Sequence, residues 1–448
     1  MLAVAVLVVS IVLFSIAFAT LWWMMHAWRT PETLASTTFG RADGETGLSF
    51  TLLLPIRHER QDVVENTVQK MLESTHDNFE IVIITGADDP ETTGIADRLA
   101  EIAPNKVFTV IDPAPRNKST GLNSALLSGQ CRGDIIGVFD AEDVVHPELL
   151  THVDHAFRSE NADVVQGGVQ LMNFYTSWYS LRNCLEYFFW FRSRLHLQAE
   201  KGFITLGGNT VFTRRELLEP PPGVTERMTP GSPIKWGWDE HCLAEDCELG
   251  VRLSSVGKKV VVAYSPEMVT REETPDTIMS FIKQRTRWNQ GFLQVYRKGE
   301  WKKLPTARQR WLARFTLSTP FYQAASGIAV PLGLGVGVFI KVPMVIAMIS
   351  WLPAVPALLV LAFEMAALRD FGKEYYGKEQ PDQQHKVRFS TYVKLLIGTP
   401  FFQVMLMFAA LRAVWRELRG RKEWELTAHV GAHLVAPAPA PTKATTSV

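Results

Sequence analysis

The sequence predicts an α/β protein: an open, largely parallel sheet in the middle of the chain, carried between transmembrane helices at both ends. Two patterns predict it. Between 47 and 304, short apolar runs alternate with stretches of helical periodicity. Outside that window, long apolar segments dominate. The charge balance sets aside one class of partner. Lys+Arg and Asp+Glu each number 46, a formal net charge of zero, so no basic field is offered to nucleic acid. At 448 residues the chain has room for one large or two ordinary domains.

Residues 1–25 carry no charged side chain and are long enough to cross a bilayer as a helix. Ala17-Phe18-Ala19 loosely fits the cleavage site of a secretory leader, which is the competing reading. No Lys or Arg precedes the run, however, whereas Arg29 and Arg41 follow it, and Trp22 and Trp23 fall where an interfacial aromatic belt would. The segment is expected to be an uncleaved anchor with its downstream side in the cytoplasm.

The central region opens on Phe50-Thr51-Leu52-Leu53-Leu54-Pro55, a continuous apolar run that reads as a buried strand. Gln61 to Ser74 repeats Val63, Val64, Val68 and Leu72 at helical spacing. Phe79 to Ile84 is the second strand, Thr92 to Ile102 a helix, and Lys106 to Val110 the third strand. Asn117 to Ser128 reads as a helix and Asp134 to Phe139 as the fourth strand. In open α/β sheets, ligands bind beyond the carboxyl ends of the strands. The residues there are Arg57, His58 and Glu59, then Asp88, Asp89 and Glu91, then Arg116 and Lys118, then Asp140, Glu142 and Asp143. Acidic and basic groups thus converge on one rim.

Beyond this domain, 311–416 is expected to return to the membrane. Phe315 to Leu368, interrupted only by Lys341 and Glu364, is about two spans long and reads as a helical hairpin turning near Lys341-Val342-Pro343. Tyr392 to Val414 fits either a further span or an interfacial helix. The second option keeps the basic stretch Arg412 to Lys422 in the cytoplasm, in line with the positive-inside rule. Residues 434–448, rich in Ala, Pro and Thr, are expected to be a disordered tail. Cytoplasmic placement predicts free thiols at Cys131, Cys184, Cys242 and Cys247.

Three carboxylates within four residues, Asp140-Ala141-Glu142-Asp143, repel one another unless a cation or base relieves them. Mg2+ or Mn2+ takes hard oxygen ligands and shares them with phosphates, and Lys118 would add a point positive charge for the same phosphates. The alternative is a solvated loop in which Asp143 caps a helix beginning near His146-Pro147-Glu148. Phe174 to Leu197, dense in aromatics and Arg, fits either a membrane-surface helix beside an acceptor site or core packing beneath the domain.

The order of motifs resembles the membrane-bound inverting glycosyltransferases of family 2, which include cellulose, chitin and hyaluronan synthases and ceramide glucosyltransferase. The series runs Asp88/Asp89, Asp140-Ala141-Glu142, Glu245-Asp246, then Gln284-Arg285-Thr286-Arg287-Trp288, a full Gln-x-x-Arg-Trp. Lys118 to Leu126 (KSTGLNSAL) and Leu206 to Phe212 (LGGNTVF) resemble intermediate landmarks of the family. The likeness covers roughly Leu52 to Gly291. It implies a GT-A nucleotide-sugar-binding domain over 47–304, facing the cytoplasm at the plasma membrane of a bacterium. Pro55, Glu59 and Asp88 or Asp89 would line the uridine pocket, and Lys118 would meet the diphosphate. Asp140 and Glu142 would hold nucleotide and metal. Asp246 would be the general base, and Gln284, Arg287 and Trp288 would sit beside diphosphate and acceptor. Two departures are visible: Glu142 stands in the second acidic place of the usual Asp-x-Asp, and Ala244 replaces the Thr of Thr-Glu-Asp.

Inverting transfer removes a proton from the acceptor hydroxyl as it attacks, which asks for one carboxylate within hydrogen-bond reach. A helix start favoured by the dipole is the structural alternative for Asp246. Arg287 brings a planar, permanently charged fork to a diphosphate leaving group. Trp288 offers a flat face to a sugar ring, or an interfacial anchor. The expected donor is a UDP-sugar, and the acceptor a growing polysaccharide or a membrane lipid, with polymer synthesis narrowly preferred. Membrane lipids are the expected surroundings, and nothing in the chain names accessory subunits. The rivals are a transporter and a non-catalytic member of a synthase complex. A transporter is disfavoured because the apolar segments hold few charges.

Overall fold

In the computed structural model, the described residues are 2–26, 47–174, 176–227, 232, 235–339, 344–376 and 387–425. The hairpin turn expected at Lys341-Val342-Pro343 and the tail at 434–448 lie outside them, as do Arg29 and Arg41.

Helix α1 runs Leu2–His26. The α/β alternation then appears as β1 (Phe50–Pro55), α2 (Gln61–Leu72), β2 (Phe79–Gly86), α3 (Pro90–Ile102), β3 (Val107–Asp112), α4 (Lys118–Leu127), β4 (Ile135–Val138) and α5 (Leu149–Glu160). The first four strands pair in parallel in the order β3-β2-β1-β4, with Phe50 in register with Phe79 and Ile135. Helical crossovers connect these parallel strands, the one from β3 to β4 passing over β2 and β1. Strands β5 (Val164–Gly167), β7 (Val211–Arg214) and β8 (Val260–Ala263) extend the sheet to seven strands, ordered β3-β2-β1-β4-β7-β5-β8. β7 runs antiparallel to both neighbours, so the sheet is mixed.

Helices cover both faces. Leu52 and Leu54 of β1 point to the face packed by α2, α3 and α5, whereas Leu53 points to the other. That second face carries α4, α6 (Trp178–Phe189) and α8 (Glu245–Ser255). A small second sheet pairs β6 (Val169–Leu171) with β9 (Thr270–Glu272). The Phe174–Leu197 stretch forms α6, a π-helical turn at Trp190–Arg194 and the start of α7 (Leu195–Glu200). Leu181, Cys184, Leu185 and Phe188 are buried in one core with Leu368, Phe371 and Leu395 of the C-terminal helices, so this stretch packs as core.

Helix α9 (Ile278–Lys298) is capped by Thr277, whose side chain accepts the Ser280 N–H, and ends at Gly299 in the left-handed conformation, φ 79°. Next come α10 (Ala307–Leu317), α11 (Thr319–Phe339), α12 (Met344–Ser350), α13 (Ala354–Phe371) and α14 (Phe389–Leu418). Met348–Tyr375 and Phe389–Leu418 are long and apolar enough to cross a membrane by length and composition, and Val6–Trp22 is a shorter apolar helix. One side of α14 follows α9 in the same direction. Phe402 meets the Phe281 ring at 5.3 Å, Ala409 O accepts from Thr286 Oγ1 at 3.4 Å, and Glu417 accepts from Gln290 at 3.1 Å. The opposite side exposes Val393, Ile397, Phe401, Val404, Phe408 and Trp415. All four cysteines are free and buried.

Candidate active site

A cleft of about 470 Å³ lies across the carboxyl ends of β1 to β4. Pro55 and Glu59 line it from β1, Gly86 from β2, Asp112, Arg116 and Lys118 from β3 and the start of α4, and Asp140 and Glu142 from β4. Glu245 and Asp246 face them from the first turn of α8, with Gln284, Arg287 and Trp288 on α9. Residues far apart in the sequence thus share one rim.

Asp88 and Asp89 do not line the cleft. Asp88 pairs with Arg57 at the surface. Asp89 is buried as the N-cap of α3, accepting the Thr92 N–H at 3.2 Å and the His58 N–H at 2.6 Å, with Pro90 at the first helical position. Burial works against its charge, yet the bonds from Thr92 and His58 hold its carboxyl below the usual range. Its work is to pin the loop that carries Arg57 and Glu59. Asp112, which the sequence did not single out, occupies the rim between β2 and β3 instead.

Helix α4 starts in a capping box: the Asn117 side chain accepts the Thr120 N–H and Thr120 Oγ1 accepts the Asn117 N–H. This presents Lys118 to the cleft from a helix N-terminus, a position that suits an anion. Lys118 Nζ contacts the Asp140 carboxylate and donates to Gly208 O at 2.7 Å. Burial opposes the ammonium, but Asp140, with Glu245 and Asp143 nearby, raises its pKa above the ordinary value.

Asp143 does not cap the next helix; Glu148 is the N-cap residue of α5. Instead Asp143 accepts the Asp140 N–H at 2.8 Å and the Asn209 Nδ2 at 3.0 Å, holding the turn that aims Asp140. The same Asn209 nitrogen reaches Glu272 Oε1 at 2.9 Å. Burial pushes both carboxyls well above their usual values, and the neighbouring Asp140 and Glu142 push in the same direction. Among the described residues no group of three or more His, Cys, Asp and Glu is assembled as a preformed metal site. A divalent ion held by two carboxylates and completed by diphosphate oxygens needs no such cage. The hard-oxygen donors Asp140 and Glu142, in a field negative enough to raise their neighbours, fit one.

Asp246 is half-buried, and desolvation by its surroundings raises its carboxyl pKa, while the Cys247 N–H bond to Oδ1 at 2.7 Å, Lys118 and Arg287 act in the other direction. Burial, with Asp246 beside it, raises Glu245 to about 7. The two form an acidic pair at the helix start, both held above the ordinary carboxylate range. Gln284 Oε1 and Arg287 Nε are buried without a hydrogen-bond partner among the described residues. Leaving such atoms unpaired costs about 1–3 kcal/mol each, so they read as groups kept for a ligand.

Aromatic side chains close the remaining wall. Trp288 packs on Tyr187 at 6.2 Å and on Trp190 at 5.9 Å. Trp424, which follows α14, lies against Arg287, whose Cζ is 4.2 Å from its ring centroid. Sequence reasoning missed Glu272 and Trp424. Glu272 ends a three-residue strand with no periodicity to mark it, and Trp424 sits in a basic stretch that looks like any membrane-flanking segment.

An α/β domain with a mixed seven-stranded sheet and acidic residues at the strand ends has the GT-A fold of nucleotide-sugar enzymes. The family model "Glycosyltransferase like family 2" matches residues 49–291, more than half of the chain, and the chain belongs to that family. It is 27% identical over 335 residues to a beta-monoglucosyldiacylglycerol synthase of Synechocystis, covering 67% of this chain and 65% of that protein. It is 23% identical over 255 residues to a UDP-forming cellulose synthase catalytic protein of Dictyostelium discoideum, covering 54% of this chain and 22% of that protein. The chain thus spans less than two thirds of either relative's length. Among solved structures, a mannosyltransferase of Pyrobaculum calidifontis in complex with GDP-Man and Mn2+ superposes with a TM-score of 0.57 at 17% identity. That match covers 92% of this chain and 99% of the other, a likeness of fold.

Proposed function

We propose that this glycosyltransferase moves one sugar, with inversion, from a UDP-sugar to the hydroxyl of a membrane lipid of the diacylglycerol type, at the cytoplasmic face of a bacterial plasma membrane. One observation carries the reading. The two helices that wall the acceptor side of the cleft with Tyr187 and Trp288, α6 and α9, pack directly on the apolar helix α14. The acceptor side of the cleft is therefore built on helices seated against that apolar helix. The glycolipid activity named for the Synechocystis relative agrees with this. Polymer synthesis has the shared Gln-x-x-Arg-Trp pattern in its favour. Yet among the described residues only two helices are long and apolar enough to span, few for a polymer channel.

In this reading the α4 N-terminus and Lys118 receive the diphosphate, and Pro55, Glu59 and Asp112 border the nucleoside. Asp140 and Glu142 would hold Mg2+ or Mn2+, which when bound neutralises diphosphate charge as the leaving group forms. Asp246 takes the proton of the attacking hydroxyl. The new bond forms from that oxygen to the anomeric carbon, and UDP departs with the electron pair of the broken bond. Arg287 and Gln284 face the departing oxygens, and Trp288 supports the sugar or the acceptor.

The test is product formation by purified protein in vesicles containing diacylglycerol, supplied with labelled UDP-sugars and Mg2+ or Mn2+. A single lipid-mobile product, lost on chelation and lost in Asp246→Asn, is expected. A product that stays at the origin and yields to a glycosidase would move the assignment to a polymer. An Asp246→Asn protein as active as the parent would remove the mechanism.

A further inference from the structure

The segment that ends α14 connects two places the proposed chemistry leaves unrelated: the membrane-facing side of the protein and the cleft. The exposed apolar stripe of α14 runs through Phe401, Val404 and Phe408 to Trp415 and Leu418, and gives way at once to exposed Arg419, Arg421 and Lys422. Both guanidinium groups lie over the half-exposed Trp415 ring, at 5.5 Å for Arg419 and 5.0 Å for Arg421. Tryptophan beside basic side chains, at the end of an apolar stripe, is the composition of a membrane–water boundary.

A second group lies at the same end. Tyr296 meets Phe321 near the start of α11, and the adjacent Arg297 pairs with Glu417 near the end of α14, so both helices reach this level together. Just before α11, α10 exposes Arg308, Arg314 and Trp311, the last stacked on Phe315 at 5.7 Å. Two tryptophans and five basic side chains therefore border the apolar surface on one side.

The inner side of the segment faces the cleft. Gln290 Nε2 donates to Arg421 O at 2.6 Å, and Arg416 donates to Glu423 O at 3.0 Å. Arg412 grips Glu425 with two bonds, at 2.6 and 2.8 Å. Glu425 thus turns in toward Arg412, whereas the Glu423 carboxylate, 3.5 Å from Arg416, stays 75% exposed, so the outer side carries three basic groups against one carboxylate and is net cationic. Between them Trp424 reaches the cleft and stacks on Arg287.

We propose that Arg419, Arg421 and Lys422, with Trp415, dock on the anionic headgroups of the membrane leaflet, and that this contact holds Trp424 against Arg287. An anionic leaflet is the occupant because the cationic strip continues an apolar surface, whereas a soluble anion would have no use for the stripe. Each basic residue near such a leaflet strengthens the contact about fivefold. The link to Trp424 rests on the proposed transfer, whereas the docking itself does not and is read separately.

The experiment supplies a UDP-sugar to the full-length parent and the Arg419→Gln/Arg421→Gln/Lys422→Gln variant, each in vesicles of phosphatidylcholine with diacylglycerol, alone or mixed with phosphatidylglycerol. The expected result is several-fold faster UDP release by the parent in the mixed vesicles, reversed by salt and absent from the variant. Soluble glycerol phosphate should not substitute. A second readout needs no turnover: tryptic cleavage after Arg419, Arg421 and Lys422 in the parent should slow in mixed vesicles. Equal cleavage in both vesicle types would overturn the docking. Slower cleavage with unchanged UDP release would overturn the link to Trp424, and stimulation retained by the variant would overturn the assignment to these residues.

Discussion

Asp246 Oδ2 lies 3.3 Å from the point where a Cβ on Gly208 would stand. The Gly208 carbonyl meanwhile accepts from Lys118 Nζ at 2.7 Å. One glycine therefore leaves room for the proposed base and fixes the proposed diphosphate lysine. Gly208→Ala pushes the Asp246 carboxylate by a few tenths of an ångström without touching the sheet. A shift of that kind is expected to lower kcat roughly tenfold to a hundredfold. UDP affinity and Tm should stay close to the parent's. Steady-state kinetics with a UDP-binding measurement check this, and a mutant with parental kcat would show that Asp246 has slack.

The acidic pair sets a pH dependence. A base must be ionised to accept a proton, and both Asp246 and Glu245 have raised values, Glu245 to about 7. Activity is therefore expected to fall as pH drops below neutrality, at a higher pH than an ordinary carboxylate would give. Burial, not Glu245, is what raises Asp246, and the Asp246 charge is what helps raise Glu245, so Glu245→Gln is expected to leave the acid limb in place. A limb that moves would show that Glu245 itself carries the titration. Stability has its own sign. A carboxyl raised in the folded state binds more protons there than when unfolded, so folding is favoured by acid and loses that contribution as pH rises through about 7 for Glu245.

Helix α9 holds its register through one close approach. A Cβ on Gly291 would fall 2.4 Å from the Ala244 Cβ and 2.6 Å from the Ala244 backbone nitrogen. Ala244 directly precedes Glu245 and Asp246, and Gln284, Arg287 and Trp288 lie within two turns of Gly291 along α9. Backbone cannot yield as a flexible side chain does. Gly291→Ala is expected to destabilise by about 1–3 kcal/mol through overpacking. It should also lower activity more than that loss explains, because α9 and α8 part at the site. Thermal unfolding and specific activity of the folded fraction check both halves.

How far the sequence could be read depended on whether the signal was local. Phe50–Pro55 is bounded as its continuous apolar run is bounded, because a buried parallel strand has no polar face to blur its ends. The partners of β4 were not legible, since β7 arrives antiparallel from more than 70 residues away and nothing local marks its direction. At the site, Lys118, Asp140, Glu142, Asp246, Gln284, Arg287 and Trp288 all face one cleft. Asp88-Asp89 shows the opposite case. An acidic pair after a strand looks like ligand chemistry, but Asp89 before Pro90 is also a helix start, and the cap is what the fold uses. Trp424 reaches Arg287 only because α14 runs the length of α9, a tertiary fact with no trace in either segment.

Arg182 on α6 and Glu364 on α13 form an ion pair, with side-chain exposures of 6% and 12%. It joins the wall of the cleft to an apolar helix, and Glu364 is one of the few charges in that part of the chain. Removing one partner leaves the other buried and uncompensated, which typically costs about 3–5 kcal/mol. Replacing both with apolar side chains of similar size removes the desolvation cost along with the attraction. Glu364→Ala and Arg182→Met are therefore each expected to lower the unfolding midpoint in detergent sharply, whereas Arg182→Met/Glu364→Leu should recover most of the loss. Activity separates two roles for the pair. If it only holds α6 to α13, the double variant regains turnover along with stability. If the charges also set the position of α6, Tyr187 at its cleft end moves, and the double variant folds but shows a raised KM for acceptor with the donor KM unchanged.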